Sequence, residues 1–143
     1  MKTYKFKLSA NVLSIPQFHE KFNKLAGDFG LSDKDIFDLC LASEEIMSNI
    51  IFYGYNEAKD KYISIEVSFK DESVIIVFID TAKHFDPTQN KVSLPQNKNI
   101  ENIKIGGLGV YFVNTLMDRI EYQKLKVGNK LLIEKKIRKN NEN

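Results

Sequence analysis

Two residues that can do chemistry stand out in an otherwise apolar stretch of the sequence, IFDLCLASEEIMSNIIFY: they are Glu45 and Asn49. They lie four residues apart, so a helix would place both on one face, about one turn from each other. The oxygen of an asparagine amide can bind a Mg²⁺ ion that bridges phosphates. A carboxylate one turn earlier can take the proton from a hydroxyl that attacks the terminal phosphate. Alone, the pair equally describes the solvated border of an amphipathic helix.

A second candidate is Asp80, which ends the apolar run VIIVFID. A carboxylate at the end of a buried strand would face a cleft, where it can accept a hydrogen bond from a ligand amine such as the exocyclic amine of adenine. The alternative is a turn-forming Asp, helped by Asp86 and Pro87 just after it. Taken alone, the sequence favours the turn.

A third candidate is the segment Gly106, Gly107, Leu108 and Gly109, which comes directly before a stretch with helical apolar spacing. Backbone N–H groups at the start of a helix, free of side chains, form a good cradle for phosphate. The alternative is a hinge or a tight turn. The segment is not a Walker loop, because no Gly-Lys-Ser/Thr follows, and no strand leads into it as in a dinucleotide-binding fingerprint.

Other kinds of site find little support in the sequence. Two separated histidines and one cysteine do not form a metal-ligand pattern, and no serine-hydrolase elbow is present. His19 lies in FHEKF, a weak phosphoacceptor motif, but no second long helix with heptads accompanies it. Cys40 cannot form an internal disulfide, which fits a reducing compartment.

These candidates need elements to position them, and the first half of the chain predicts two helices after a strand. The strand covers residues 4–8, and the first helix covers residues 15–31. The second helix begins near Ser32 or Asp33, the candidate N-caps. Its predicted core face comprises Ile36, Leu39, Ile46, Met47 and Ile50.

The second half of the chain predicts two hairpins separated by a loop and a helix. YISIEVSF alternates apolar and polar residues, as a strand with one buried face does. VIIVFID is apolar on both faces, which favours a central strand. Residues 86–105 form a long polar loop that we interpret as a lid, and the turn VGN closes the last hairpin. The predicted fold is an α/β two-layer sandwich, a mostly antiparallel sheet covered on one face by three helices.

Composition limits the protein to ordinary globular classes. The chain has 143 residues, 43% of them hydrophobic, and a net charge of +2. We therefore expect a single domain over residues 1–143, with no nucleic acid and no membrane as partner. The N-terminus lacks the apolar core of a signal peptide, so we expect a cytoplasmic protein.

The order of the motifs resembles that of the GHKL ATPase superfamily, which includes gyrase, Hsp90, histidine kinases and MutL. Within it, the chain is similar to the small anti-sigma-factor kinases of the RsbW and SpoIIAB type. EIMSNIIFYGY matches the N box, DTAKHFDP the first glycine box, and GGLGVYFVNTLMDRIEY the second glycine box with its helix. GNKLLIEKKI matches the final strand, so the resemblance covers nearly the whole chain.

The resemblance implies roles for individual residues. Glu45 occupies the catalytic-base position, Asn49 that of the magnesium ligand, and Asp80 that of the adenine-binding carboxylate. The nucleotide-binding positions that it implies are Asn49, Tyr53, Asp80, Ala82, Phe85, Gly106, Gly107, Leu108 and Gly109.

Two positions and the lid depart from the family pattern. Ala82 stands where the family usually has Gly, and Tyr53 where it often has His. The lid offers lysines but no arginine for the terminal phosphate. The methyl group of Ala82 could crowd the nucleotide base or be absorbed by a small backbone shift, whereas the missing arginine bears on the efficiency of phosphoryl transfer more than on nucleotide binding.

The function that the resemblance implies is that of an ATP- and Mg²⁺-dependent serine/threonine kinase. Its substrate would be an anti-anti-sigma protein of the STAS type, with a sigma factor as a second partner and a homodimer left open. Three alternatives remain: a nucleotide-gated binding module without phosphotransfer, a detached histidine-kinase catalytic domain, and an unrelated α/β structural protein.

Overall fold

A five-stranded sheet forms one layer of the computed structural model, which describes residues 1–88 and 113–137. All neighbouring strands are antiparallel, in the order β1-β2-β3-β5-β4. The strands are β1 (Lys2–Ser9), β2 (Tyr62–Phe69), β3 (Ser73–Asp80), β4 (Arg119–Lys124) and β5 (Asn129–Lys136). The predicted α/β sandwich with an antiparallel sheet is therefore confirmed.

Two long helices form most of the second layer, α1 (Ser14–Phe29) and α2 (Asp33–Asn49). Of the two candidate N-caps, Ser32 caps α2, and its hydroxyl accepts a hydrogen bond from the backbone N–H of Asp35 at 3.1 Å. The last turn of α2 continues as a π-helical segment, Ile50–Gly54, and such segments occur often at functional sites. Residues 113–116 are the described end of the third predicted helix.

The core lies between the helices and one face of the sheet. The alternation predicted for β2 is observed, with Ile63, Ile65, Val67 and Phe69 all buried. Aromatic side chains of α1 fill the space above them, and Phe22 stacks on Phe69 with ring centroids 6.0 Å apart. Packing against this layer holds α1 and α2 in place, because burial of an apolar face is what stabilises most helices in proteins.

Strand β3 is the central strand of the sheet, as predicted, but its two faces differ. Val74, Ile76 and Phe78 point into the core, whereas Ile79 on the other face is 38% exposed. The uninterrupted apolar run therefore reflects the central place of β3 and not burial on both faces.

The register between β3 and β5 brings the two ends of these strands together at the same edge of the molecule. Asp80, the last residue of β3, pairs with Asn129, the first residue of β5. The β4–β5 turn that precedes Asn129 packs directly on this edge. Gly128 has a φ of +94°, and a Cβ atom added there would overlap the carbonyl oxygen of Asp80, so this position requires glycine.

Candidate functional site

A cleft lies beside the paired ends of β3 and β5, with the last turn of α2 as its other side. It contains about 620 Å³ of empty space, part of it open to solvent. The described residues of its apolar wall include Ile46, Ile50 and Leu131, and those of its polar part include Asn49, Asp80 and Asn129. An apolar cleft with few polar groups suits a flat, mostly apolar ring that carries specific donors.

Asp80 supplies the negative charge of the cleft, although only 5% of its surface is exposed. Its Oδ1 accepts hydrogen bonds from the backbone N–H of Ala82 at 2.9 Å and from the Asn129 amide at 2.8 Å. Burial raises the pKa of Asp80, and these two donors and the nearby His84 oppose that rise. The placement agrees with a ligand-binding carboxylate at the end of a buried strand, and the hydrogen bond to Ala82, two residues further on, also makes Asp80 part of the turn.

Asn129 is a functional candidate that the sequence did not reveal, because it follows Gly128 in what reads as an ordinary turn. The side chain is 7% exposed and belongs to strand β5. Its amide donates to Asp80 and to the carbonyl of Lys83, at 2.8 and 2.9 Å. Its oxygen accepts from the backbone N–H of Phe85 at 3.0 Å and from the hydroxyl of Tyr122. The only signal in the sequence was an Asn at the start of an otherwise apolar strand.

Tyr55 is a second residue that sequence reasoning missed, and it fixes the chain on the other side of Asp80. It is buried just after the π-helical segment. Its hydroxyl accepts a hydrogen bond from the backbone N–H of Thr81 at 2.7 Å and donates one to the carbonyl of Tyr62 at 2.8 Å. Tyr55 thereby attaches the segment after α2 to Thr81, the residue that follows Asp80.

Ala82, which replaces the usual glycine, is buried and lines the cleft. Its methyl group lies against Gly54: a Cβ atom added at Gly54 would come within 2.9 Å of the Cβ of Ala82. The methyl group of Ala82 therefore has room because the neighbouring residue, Gly54, carries no side chain.

Asn49 and Glu45 lie at the α2 side of the site. Asn49 is the last residue of α2 and lines the cleft. Glu45 lies one turn earlier and is half-buried, and it is not among the described lining residues. Burial raises the pKa of Glu45, and the charge of neighbouring Glu44 raises it further. A raised pKa brings a carboxylate closer to the range of an effective general base.

The remaining predicted nucleotide positions are divided. Phe85 lines the cleft, and its backbone is held by Asn129. Tyr53 is 38% exposed in the π-helical segment and is not among the described lining residues, so its role stays a prediction. The glycine segment 106–109 and most of the predicted lid, residues 89–105, lie outside the described residues.

Comparison with models of protein families identifies the family of the chain that forms this cleft. The family model for the histidine kinase-like ATPase domain matches residues 8–135. The chain belongs to the histidine kinase-like ATPase family. The resemblance seen in the sequence is thereby confirmed, and membership in this ATPase family implies that the domain binds ATP.

Among curated relatives of this ATPase domain are serine-protein kinases named RsbW, at modest identity. RsbW of Halalkalibacterium halodurans is 33% identical over 100 residues, which make up 68% of this chain and 60% of the relative. RsbW of Bacillus subtilis is 28% identical over 102 residues, 69% of this chain and 64% of the relative. The chain thus spans less than two thirds of the length of these relatives.

A solved structure also shares the fold of this ATPase domain. It contains the RsbU and RsbW domains of a Mycobacterium tuberculosis protein, with a TM-score of 0.68 and 16% sequence identity. The match covers 96% of this chain and 33% of that one. At this identity the likeness shows the fold alone.

The polar side chains that line the cleft suit a nucleotide base better than a metal ion held by several protein ligands. Asp80 offers a buried acceptor beside apolar walls, which suits a purine amine. Within residues 1–88 and 113–137, no group of three or more His, Cys, Asp or Glu side chains is arranged to hold a metal ion. Asn49 could supply one oxygen ligand to a Mg²⁺ ion whose other ligands are phosphate oxygens and water.

None of the described helices is long and apolar enough to cross a membrane.

Proposed function

We propose that the protein is an ATP-dependent serine/threonine kinase that phosphorylates an anti-anti-sigma protein of the STAS type and sequesters a sigma factor. The observation that carries the proposal is the cleft in which Asn49 and Asp80 lie together, in a chain whose relatives are serine-protein kinases. The partners are inferred from the family and from the RsbW relatives.

The base end of the cleft holds the nucleotide in this proposal. Asp80 would accept a hydrogen bond from the exocyclic amine of adenine, and the side chains of Ile46, Ile50 and Leu131, which line the cleft, would contact the ring. Asn49 would hold Mg²⁺ through its amide oxygen, and the ion would supply positive charge to the phosphates. The bound ATP supplies the phosphoryl group that is transferred.

Glu45 moves the proton in this proposal. Its carboxylate takes the proton from the serine or threonine hydroxyl of the partner, at a carboxylate oxygen, as that hydroxyl attacks the terminal phosphate. The raised pKa of Glu45 favours this role, since a base near the working pH binds the proton more readily. Glu45 is half-buried one turn before Asn49, so part of its side chain is accessible to an incoming protein chain.

The experiment is transfer of radiolabel from ATP to a purified STAS-type protein encoded by the same genome, followed by identification of the labelled residue. We expect label on a serine or threonine of the partner, dependent on Mg²⁺. If the protein binds ATP and binds the partner but labels no residue, the nucleotide-gated binding module is correct instead. Label on a histidine would support a detached histidine-kinase domain.

A further inference from the structure

Lys135 lies on the buried face of the sheet, where lysine is rare. It belongs to β5 and pairs with Val74 of β3, which points into the core. Only 12% of its side chain is exposed. A lysine is seldom buried unless a partner compensates its charge, so the contacts of its ammonium group show what this residue holds together.

The ammonium group of Lys135 has two partners, and they belong to different elements. It lies 3.3 Å from Oδ2 of Asp38, a buried residue of α2. It also donates a hydrogen bond to the backbone carbonyl of Leu116 at 3.1 Å. Leu116 lies in the last turn of the third helix, where carbonyls lack partners within the helix and a cation is favourable. One side chain therefore joins α2, the third helix and β5.

The two helices that Lys135 joins are the helices beside the cleft. Asn49 of α2 lines the cleft, and so do Val113 and Asn114 of the third helix. Lys135 itself is not among the described lining residues. Asp38 lies three turns before Asn49 on α2, about 16 Å along the helix axis. A change at Lys135 would therefore reach a nucleotide only through the positions of the two helices.

Asp38 has a second cation, which compensates its charge without joining it to another element. Lys34 lies one turn earlier on α2, and its ammonium group donates to the same Oδ2 at 2.7 Å. The side chain of Lys34 is 77% exposed, and both members of this pair belong to α2. What distinguishes Lys135 from Lys34 is the bond to the third helix.

We propose that Lys135 is a positioning residue for the nucleotide: it holds the end of the third helix to α2 and thereby sets the width of the cleft between these helices. The inference rests on the proposed nucleotide site. A cleft fits a rigid ring only when its walls stay at a fixed separation, because walls that move apart lose van der Waals contact with the ring. One ammonium group, held by a buried carboxylate and a helix carbonyl, fixes that separation before the nucleotide binds.

The test replaces Lys135 by Met, which keeps the apolar stem but removes the ammonium group. We expect ATP to bind roughly threefold or more weakly, as measured by calorimetric titration at a temperature at which the protein is fully folded. Lys135→Arg keeps the charge and the N–H donors, so it should retain most of the affinity. The matched control is Lys34→Met, which removes the other cation of Asp38 and should leave the affinity for ATP unchanged.

A second measurement observes the cleft without nucleotide. The side-chain amides of Asn49 and Asn114 are NMR probes on the two helices beside the cleft. We expect the amide signal of Asn114 to shift in Lys135→Met and to stay in place in Lys34→Met. If Lys135→Met does not fold, Asp38→Asn replaces it. This variant keeps the shape but weakens the hold on Lys135, so it should weaken ATP binding and shift the Asn114 signal, both to a smaller extent.

The outcomes separate this inference from the proposed function. If wild-type protein binds no ATP, both fail. If Lys135→Met is less stable in urea but binds ATP as tightly as wild type does, only the inference is overturned, because Lys135 then stabilises the fold without setting the cleft. Equal weakening of ATP binding by Lys34→Met and Lys135→Met overturns it too, since the effect would then come from the charge of Asp38 and not from the bond to the third helix.

Discussion

The two ends of the cleft are built differently. At the base end, Asp80 and Asn129 are buried and joined by a network of hydrogen bonds to the backbone and to Tyr122. At the other end, Asn49 lines the cleft and Glu45 lies one turn earlier on α2. Both are half-buried, and no side-chain hydrogen bond to either is found within residues 1–88 and 113–137.

The difference matches the two tasks that we assign to the two ends. A network that is complete without ligand needs no rearrangement when the base binds, so it recognises one ring at low entropic cost. Side chains that take part in transfer have to meet a metal ion, phosphates and a second protein, none of which belongs to the chain. We therefore expect changes at the base end to act on affinity and stability, and changes at the Glu45 end to act on transfer.

The largest effect is expected for Glu45→Gln. The substitution keeps shape and hydrogen bonding but removes the base, so phosphoryl transfer should fall by ~10²-fold or more while binding of Mg-ATP stays nearly intact. Radiolabel transfer and a binding titration measure the two quantities. Glu20→Gln makes the same change at an exposed position of α1 and should transfer normally. Equal transfer by wild type and Glu45→Gln would show that the base is misassigned.

The second-largest effect is expected for Gly128→Ala, which changes the backbone beside Asp80. Gly128→Ala forces a side chain into a left-handed conformation, which costs about 1–3 kcal/mol, and its methyl group overlaps the Asp80 carbonyl. We expect a lower free energy of unfolding in urea together with weaker ATP binding. Gly27→Ala is the control, because it lies within α1 in open space and should stabilise by about 0.5–1 kcal/mol. An unchanged stability of Gly128→Ala would contradict the close packing of the hairpin on Asp80.

Asn49→Ala should weaken binding of Mg-ATP by at least about tenfold, since loss even of an outer partner of a metal ligand has an effect of that size. Binding of ADP without Mg²⁺ should change little, because the base end is untouched. The comparison of the two titrations separates loss of a metal ligand from general damage to α2. Equal weakening of both would remove Asn49 from the metal site.

The smallest effect concerns pH and Asp80. Burial raises its pKa in the folded protein above the unfolded value, so the ionised carboxylate opposes folding at neutral pH. That penalty disappears as the pH falls through the raised pKa towards the ordinary range of Asp. Asp80→Asn, neutral throughout, should therefore be more stable than wild type at pH 7, with a difference that narrows as the pH falls. His84 and Tyr122 lie near Asp80, so the comparison is made between the two proteins at each pH.

The control for this pH series is Asp71→Asn, which makes the same change in the exposed turn between β2 and β3. It measures the effect of the substitution itself. A difference between Asp80→Asn and wild type that widens on acidification would contradict the account, because it would mean that the folded protein favours the ionised carboxylate.

The sequence predicted what local patterns determine. Alternation in β2, the Ser32 cap and helical spacing each follow from a few neighbouring residues, and the structure agrees with them. The order of the motifs placed Asn49, Asp80 and Ala82 at one cleft.

The sequence did not predict what depends on contacts between distant residues. Asn129 reaches Asp80 across 49 positions of sequence because β5 pairs with β3, and a turn motif hides that relation. Tyr55 binds Thr81 across 26 positions for a similar reason. The uncovered face of β3 depends on which layers pack, and composition alone cannot show it.

The central claim is that ATP binds in this cleft with its base at Asp80. The most direct test is a titration of the wild-type protein with Mg-ATP, followed by NMR of its backbone and side-chain amides. We predict one saturable site per chain, with the largest shifts at the Ala82 amide and the Asn129 side chain. Absence of binding, or shifts confined to the exposed face of the sheet around Ile79, would contradict the account.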